Sequence, residues 1–221
     1  MKIPNISINI VFVIVGAVFS SFLAQSSFSQ GFNNNEWIFG YCEGTDNNYI
    51  SFGKDGIAKV NTLPAANTFG KGNAAMAVDP VTGQVLFYTD GALVYNYLNL
   101  AMQGVVGELG GSETGRQTVA ISELDYSEGG GNKLFYVFFL NTTGELEYAV
   151  ADMNNQGGAQ ANQPPAGAIS PGGTLGPASG SILVVKSAGS PNFLISFENG
   201  SLVSREIGET EGDFTQQGNL P

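Results

Sequence analysis

Histidine is absent from the 221 residues. Its absence removes the commonest general base and the commonest transition-metal ligand, which excludes Ser-His-Asp, Cys-His and His-metal chemistry. Cysteine occurs once, at Cys42, so neither an intrachain disulfide nor a cysteine-rich zinc site can form. Cys42 reads as a small buried residue beside the strand Trp37-Ile38-Phe39; the sharper reading of an odd cysteine is an intermolecular disulfide. Basic residues are scarce, 8 Lys and Arg against 19 Asp and Glu, for a net charge of −11. Nucleic acid and anionic membrane surfaces both demand a basic patch and are therefore poor partners. Charged residues make up only 12% of the chain, too few to clothe the outer faces of a helical bundle.

Glycine, by contrast, is plentiful, 31 residues, which suits short strands joined by many turns. The run Val85-Leu86-Phe87-Tyr88-Thr89-Asp90-Gly91-Ala92-Leu93-Val94-Tyr95-Asn96 states the pattern best. Asp90-Gly91 is a dipeptide favoured by two-residue type I′ turns, whose central residues both take positive φ. Such a turn pairs Tyr88 with Leu93 and Phe87 with Val94. Leu86, Tyr88, Leu93 and Tyr95 then share one face, and Phe87 and Val94 the other. Both faces are apolar, so the sheet must be covered on both sides.

Residues 1–29 read as a secretory signal peptide: Lys2 as the basic start, an apolar run from Ile8 to Leu23, and Ser27-Phe28-Ser29 before Gln30 as the cleavage region. The apolar run is shorter than the ~20 residues of a membrane span, so the mature chain is expected to carry no transmembrane segment. Residues 30–221 read as one all-β domain. Short strands are expected at Trp37–Phe39, Tyr49–Phe52 and Ile57–Val60, the last two joined at Gly53-Lys54-Asp55-Gly56. No dozen-residue window beyond the leader keeps helical apolar spacing.

Three groups of strands repeat in kind. Each opens on a small-apolar strand (Ala74–Val78, Gln117–Ser122, Ser181–Lys186), continues into an aromatic-rich one (Leu86–Tyr88, Lys133–Leu140, Asn192–Phe197) and returns after a turn (Leu93–Tyr95, Glu145–Met153, Ser201–Ile207). The first spacing is near the ~40–45 residues of a four-stranded propeller blade. The second is a blade plus the Gly- and Pro-rich stretch 154–179, read as a loop without a strand pattern. The fold expected is a β-propeller-like array of short antiparallel sheets, about three to four blades, fewer than the ~4–8 of a closed ring and so an incomplete propeller. The ending Gly218-Asn219-Leu220-Pro221 shows no terminal strand pattern, which is expected of a truncated reading frame.

Several phrases in order, Trp37-Ile38-Phe39-Gly40, Leu86-Phe87-Tyr88-Thr89-Asp90-Gly91, Val94-Tyr95-Asn96, Met102-Gln103-Gly104, Leu109-Gly110, Leu134 to Phe138 and Leu146 to Met153, resemble the N-terminal propeller-like region of large Bacteroidota cell-surface proteins. That group is associated with gliding motility and type IX secretion. The resemblance runs from Trp37 to about Gly158. It implies an exported, surface-associated β-propeller region, part of a larger gliding- or adhesion-type surface protein, with no catalytic residue to carry over. Such proteins continue into further blades, adhesin-like repeats and a sorting domain.

The candidate partner-binding residues are Ser112, Glu113, Arg116 and Gln117, in a polar loop that leads into a first-type strand, where a propeller builds its ligand face. No catalytic, cofactor-binding or metal-binding residue is assigned. Glu43 with Asp46-Asn47-Asn48 offers oxygen ligands for calcium but lacks the spacing of a calcium loop. Asp90, Asp55 and Asn199 read as turn residues, and Asp79 as bonded to its own loop. Asn141-Thr142-Thr143 and Asn199-Gly200-Ser201 match the glycosylation sequon and read as turns. The function expected is a non-enzymatic binding or scaffold module of the cell surface that takes a protein or glycan partner. One alternative is a propeller hydrolase or lyase working on polysaccharide through carboxylates such as Asp79 or Asp90. Another is a structural subunit that forms homo-oligomers through its edge strands.

Overall fold

A computed structural model describes residues 36–38, 48–52, 57–62, 73–79, 85–104, 109–111, 117–126, 133–157, 165–186 and 191–220. These residues contain strands and no helix, in four sheets. The first sheet is β1 (Glu36–Ile38), β2 (Asn48–Phe52) and β3 (Ala58–Thr62); the second is β4 (Ala75–Val78), β5 (Val85–Thr89) and β6 (Val94–Asn96). The third comprises β7 (Gln103–Gly104), β8 (Val119–Tyr126), β9 (Lys133–Leu140), β10 (Glu145–Asp152) and β11 (Ala168–Pro177), in the order β7-β11-β10-β9-β8. The fourth holds β12 (Ser179–Val185), β13 (Asn192–Glu198), β14 (Ser201–Ile207) and β15 (Phe214–Leu220) in chain order. Every pairing is antiparallel except that of β7 with β11. The described residues form no closed ring of sheets.

The third sheet is central because its strands are apolar on both faces. Along β9, Phe135, Val137 and Phe139 join Phe87, Val94 and Ala77 of the second sheet in one core, while Tyr136, Phe138 and Leu140 join Ile182, Leu194 and Ile207 of the fourth sheet in another. A strand covered on both sides has no reason to alternate with polar residues, and Lys-Leu-Phe-Tyr-Val-Phe-Phe-Leu does not. Each fully buried Phe here is worth ~1.5–3 kcal/mol of burial. Phe87 meets Phe135 edge to face at 5.4 Å, and Phe214 of β15 packs on Tyr136 and Tyr148 at 5.0 Å each.

The β5–β6 hairpin forms with a register two residues away from the one read in the sequence. Thr89 pairs with Val94, Tyr88 with Tyr95 and Phe87 with Asn96, which leaves the four-residue loop Asp90 to Leu93. Side chains close that loop. Asp90 Oδ1 accepts the Ala92 and Leu93 N–H groups at 2.9 Å each, and Thr89 Oγ1 accepts Gly91 N–H at 3.0 Å and donates to the Leu93 carbonyl at 2.6 Å. Only Gly91, at φ 91°, takes a positive φ there. A shift of two preserves faces. Phe87 and Val94 line the core shared with the third sheet, and Tyr88 and Tyr95 stack at 5.4 Å on the opposite side with Leu93. Leu86 changes sides, because a bulge sets Val85 opposite Val78 and turns Leu86 towards the Phe87 core. At Asn199-Gly200 the type I′ reading holds, with φ 49° and 83° and Glu198 paired to Ser201.

Besides the two-residue β7, two strands lie where the sequence shows no strand pattern. Ala168–Pro177, within the stretch taken as a loop, pairs with β10 through two register shifts. Among the described residues β7 pairs with β11 at Ala168 and Ile169 and no other strand pairs along that side, where proline is tolerated. The chain end likewise carries β15, paired along β14. Its Phe-Thr-Gln-Gln-Gly-Asn-Leu hides the strand because an outer strand needs little apolar alternation. These additions turn the second and third of the three-strand groups into four-stranded antiparallel meanders. In the first group the chain bridges back to β6 at Tyr95–Ala101, then crosses to pair with β11.

Candidate functional site

Several turns converge at one end of the central sheet. Asn73, fully buried, ties them: its Oδ1 accepts Thr118 N–H at 2.7 Å, and its Nδ2 donates to the Asp90 carbonyl at 3.0 Å and to Thr118 Oγ1. The strap Leu109 to Gly111 passes between two of these turns. Leu109 N–H donates to the Ala92 carbonyl at 2.6 Å, and Gly111 bridges to Asn141. A side chain at Gly111 would put Cβ 2.0 Å from the Gly91 carbonyl oxygen, so only glycine permits the approach.

Beside the strap a cleft of about 300 Å³ opens where β10 and β11 part at their bulges. Leu109, Phe139, Ala149 and Ile169 form its apolar floor; Glu147, Tyr148, Ser170, Thr174 and the 171–173 backbone form its polar walls. Bulges build such a cleft because they turn side chains and peptide groups out of the ladder. Tyr148 lies against Gly172 and Gly173 so closely that a Cβ on Gly172 would come within 2.2 Å of its ring. Glu147 is held by Asn141, whose Nδ2 donates to Glu147 Oε1 at 2.6 Å while its Oδ1 accepts Thr143 and Glu145 N–H groups at 2.9 Å each. One anchored carboxylate, hydroxyls and peptide groups over an apolar floor suit a neutral, hydroxyl- or amide-bearing ligand. Hydrolysis of a glycosidic bond would ask for a second carboxylate ~5–9.5 Å away, and among the described lining residues Glu147 is the one acid.

Of the residues singled out from the sequence, Ser112, Glu113 and Arg116 lie outside the described residues. Gln117 is exposed at φ 57° and joins the third sheet to the fourth, its carbonyl accepting Ile182 N–H at 2.9 Å. It does not line the cleft. Asp90 is a buried turn residue, and Asp79 forms an ion pair with Lys133 at 2.9 Å. Asn141 and Asn199 sit in turns. Of the calcium candidates, Glu43, Asp46 and Asn47 lie outside the described residues, and Asn48 begins β2. Among the described residues no group of three acids or cysteines gathers as metal ligands, and no helix is long and apolar enough to cross a membrane.

The sequence reading passed over Asn73, Glu147 and Tyr148, and also a buried ion pair. Arg205 of β14 grips Glu198 of β13 with both guanidinium nitrogens, Nη2 to Oε2 at 2.7 Å and Nη1 to Oε1, while Nη1 reaches Ser196 Oγ at 3.2 Å. Burial pushes the Glu198 carboxyl up, but hydrogen bonds from Arg205 and Ser196 and the Arg205 charge more than offset it, leaving the group below its ordinary value. Tyr136 is moved the other way: burial pushes its phenol up to about 12, against the lowering effect of the Gly212 N–H bond at 2.8 Å.

No family model, curated protein or solved structure matches the chain.

Proposed function

We propose that this protein is a non-enzymatic binding or scaffold module, exported to the cell surface, that uses a β-propeller-like stack of antiparallel meanders to present the β10–β11 cleft to a glycan or protein partner. The observation that carries the reading is where the acids go. Asp90 closes a turn, Asp79 pairs with Lys133, Glu198 pairs with Arg205, and among the described residues the cleft keeps a single carboxylate already bonded to Asn141. Carboxylates spent on architecture leave recognition as the work of the cleft. The Bacteroidota surface-protein resemblance and the apolar leader support export. The polysaccharide hydrolase or lyase alternative has no second acid in the described cleft to recommend it.

An array of neutral oligosaccharides and short peptides tests the proposal. Retention of one class, weakened ~2- to 10-fold by Tyr148→Ala with the fold intact, supports it, since an aromatic contact is worth about 0.5–1.5 kcal/mol. Cleavage of any bound probe, lost in Glu147→Gln, would replace it with the enzyme reading.

A further inference from the structure

The stack of sheets does not end on a polar surface. The inner face of the fourth sheet is covered by the third, but its outer face carries Leu183, Val185, Phe193, Ile195, Phe197 and Leu202, and four of these are strongly exposed: Leu183 52%, Val185 44%, Phe197 39%, Leu202 42%. The register makes the patch continuous. Val185 lies opposite Phe193, Leu183 opposite Ile195, and Phe197 opposite Leu202. A patch of this size on a sheet is an interaction surface, not scatter.

The face is also lopsided. Its β12–β13 half is a ridge of bulky side chains. On the β14–β15 half, Leu202 stands at one end, and beyond it Ser204 pairs with Gly218, and Glu206 with Thr215. A Cβ on Gly218 would meet nothing within 4 Å, so a shallow trough runs beside the ridge. Rotating a second copy by a half-turn about an axis lying in the contact plane, parallel to the strands, sets its ridge over this trough and its trough over this ridge. A face that fits its own rotated image is what an isologous dimer requires.

Charge and area agree. The chain carries −11, but among the described residues the only charge on this face is Glu206, at its margin and bonded by Gln217 Nε2 at 2.7 Å, so two acidic copies meet here across neutral surface. Four strands of seven residues measure roughly 23 by 19 Å at ~3.3 Å per residue and ~4.8 Å between strands. Two such faces cover roughly 900 Å² before side-chain relief is counted, below the ~1,200 Å² at which stable specific interfaces begin and in the range of weak, reversible association. We propose that the outer face of the fourth sheet is the contact between two copies of this chain, closed by a two-fold axis parallel to the strands.

Light scattering coupled to size exclusion, on the full chain exported so that any leader is processed, reads the result directly. The expected species is a dimer that dissociates on dilution. Phe197→Asp and Leu183→Lys each weaken it at least ~10-fold, the effect of about 1.4 kcal/mol. Ser204→Trp, which fills the trough, weakens it as well. Leu100→Lys, at an equally exposed apolar residue elsewhere, leaves it unchanged. Circular dichroism confirms that each variant folds. A monomer at every concentration, open-ended growth, or a dimer indifferent to Phe197→Asp and Leu183→Lys overturns the proposal; the last would move the contact to the edge strands.

Discussion

Asn73 and Thr118 stand 45 positions apart in the chain, yet the Thr118 N–H donates to Asn73 Oδ1 at 2.7 Å inside a fully buried joint between the second and third sheets. The same amide reaches the Asp90 carbonyl, so one side chain fixes the loop that closes the β5–β6 hairpin and the entry into β8. Asn73→Ala strips partners from a buried N–H and a buried carbonyl, each costing ~1–3 kcal/mol to leave bare. The expected loss is about 2–4 kcal/mol, measured as a lower urea midpoint with an unchanged slope. A loss below about 0.5 kcal/mol would show that the joint holds without the amide.

Glu198 and Arg205 make the second prediction. Removing one member of a buried pair strands the other charge, so Glu198→Gln or Arg205→Met should each cost ~3–5 kcal/mol, while Glu198→Leu with Arg205→Met should recover most of it. The carboxyl is held below its ordinary value in the folded protein. Its stabilising contribution is therefore present above the unfolded carboxylate range and is lost as pH falls through the folded value. Urea titrations from pH 7 downwards should show wild type losing an acid-labile component that the double variant lacks.

Tyr136 gives the alkaline counterpart. With its phenol raised to about 12 in the folded state, the unfolded chain releases this proton first as pH rises. Stability from this residue is intact below pH ~10 and declines as pH climbs to the folded value. Tyr136→Phe should flatten that decline. It also removes the bonds to Gly212 N–H and the Thr210 carbonyl, at a cost of ~0.5–1.5 kcal/mol at neutral pH.

Gly172 tests the cleft's construction. Because a Cβ there would lie 2.2 Å from the Tyr148 ring, Gly172→Ala must displace the ring or the β11 bulge. The expected signature is a destabilisation of ~1–3 kcal/mol, the usual range for overpacking, relieved only in part when Tyr148→Ala is added, because the same Cβ lies 2.6 Å from the Tyr148 carbonyl oxygen. A fully additive double variant would contradict the contact.

Much of the fold was legible from chemistry that acts locally. Lys133–Leu140 and Ser201–Ile207 are strands because β-branched and aromatic runs bounded by turn residues can do little else, and Asn199-Gly200 fixes its hairpin because both residues accept positive φ. The Asp90 hairpin was misread for a physical reason. The Asp90 carboxylate competes with the backbone for the Ala92 and Leu93 N–H groups, and the loop widens around it. β11 and β15 were invisible because each is defined by the strand it pairs with, β10 or β14, and their own sequences are rich in glycine, proline and glutamine. The cleft was hidden for the same reason, since it exists only where β11 bulges away from β10. Glu147 and Tyr148 in isolation look like ordinary strand residues.

The central claim is that the β10–β11 cleft recognises a ligand without transforming it. The most direct measurement follows one oligosaccharide retained on the array, by titration calorimetry for binding and by mass spectrometry of the same mixture for products, with wild type, Tyr148→Ala and Glu147→Gln. Saturable binding that weakens in Tyr148→Ala, with the probe recovered unchanged after long incubation, is the predicted result. Turnover abolished by Glu147→Gln, or binding indifferent to Tyr148→Ala, would contradict it.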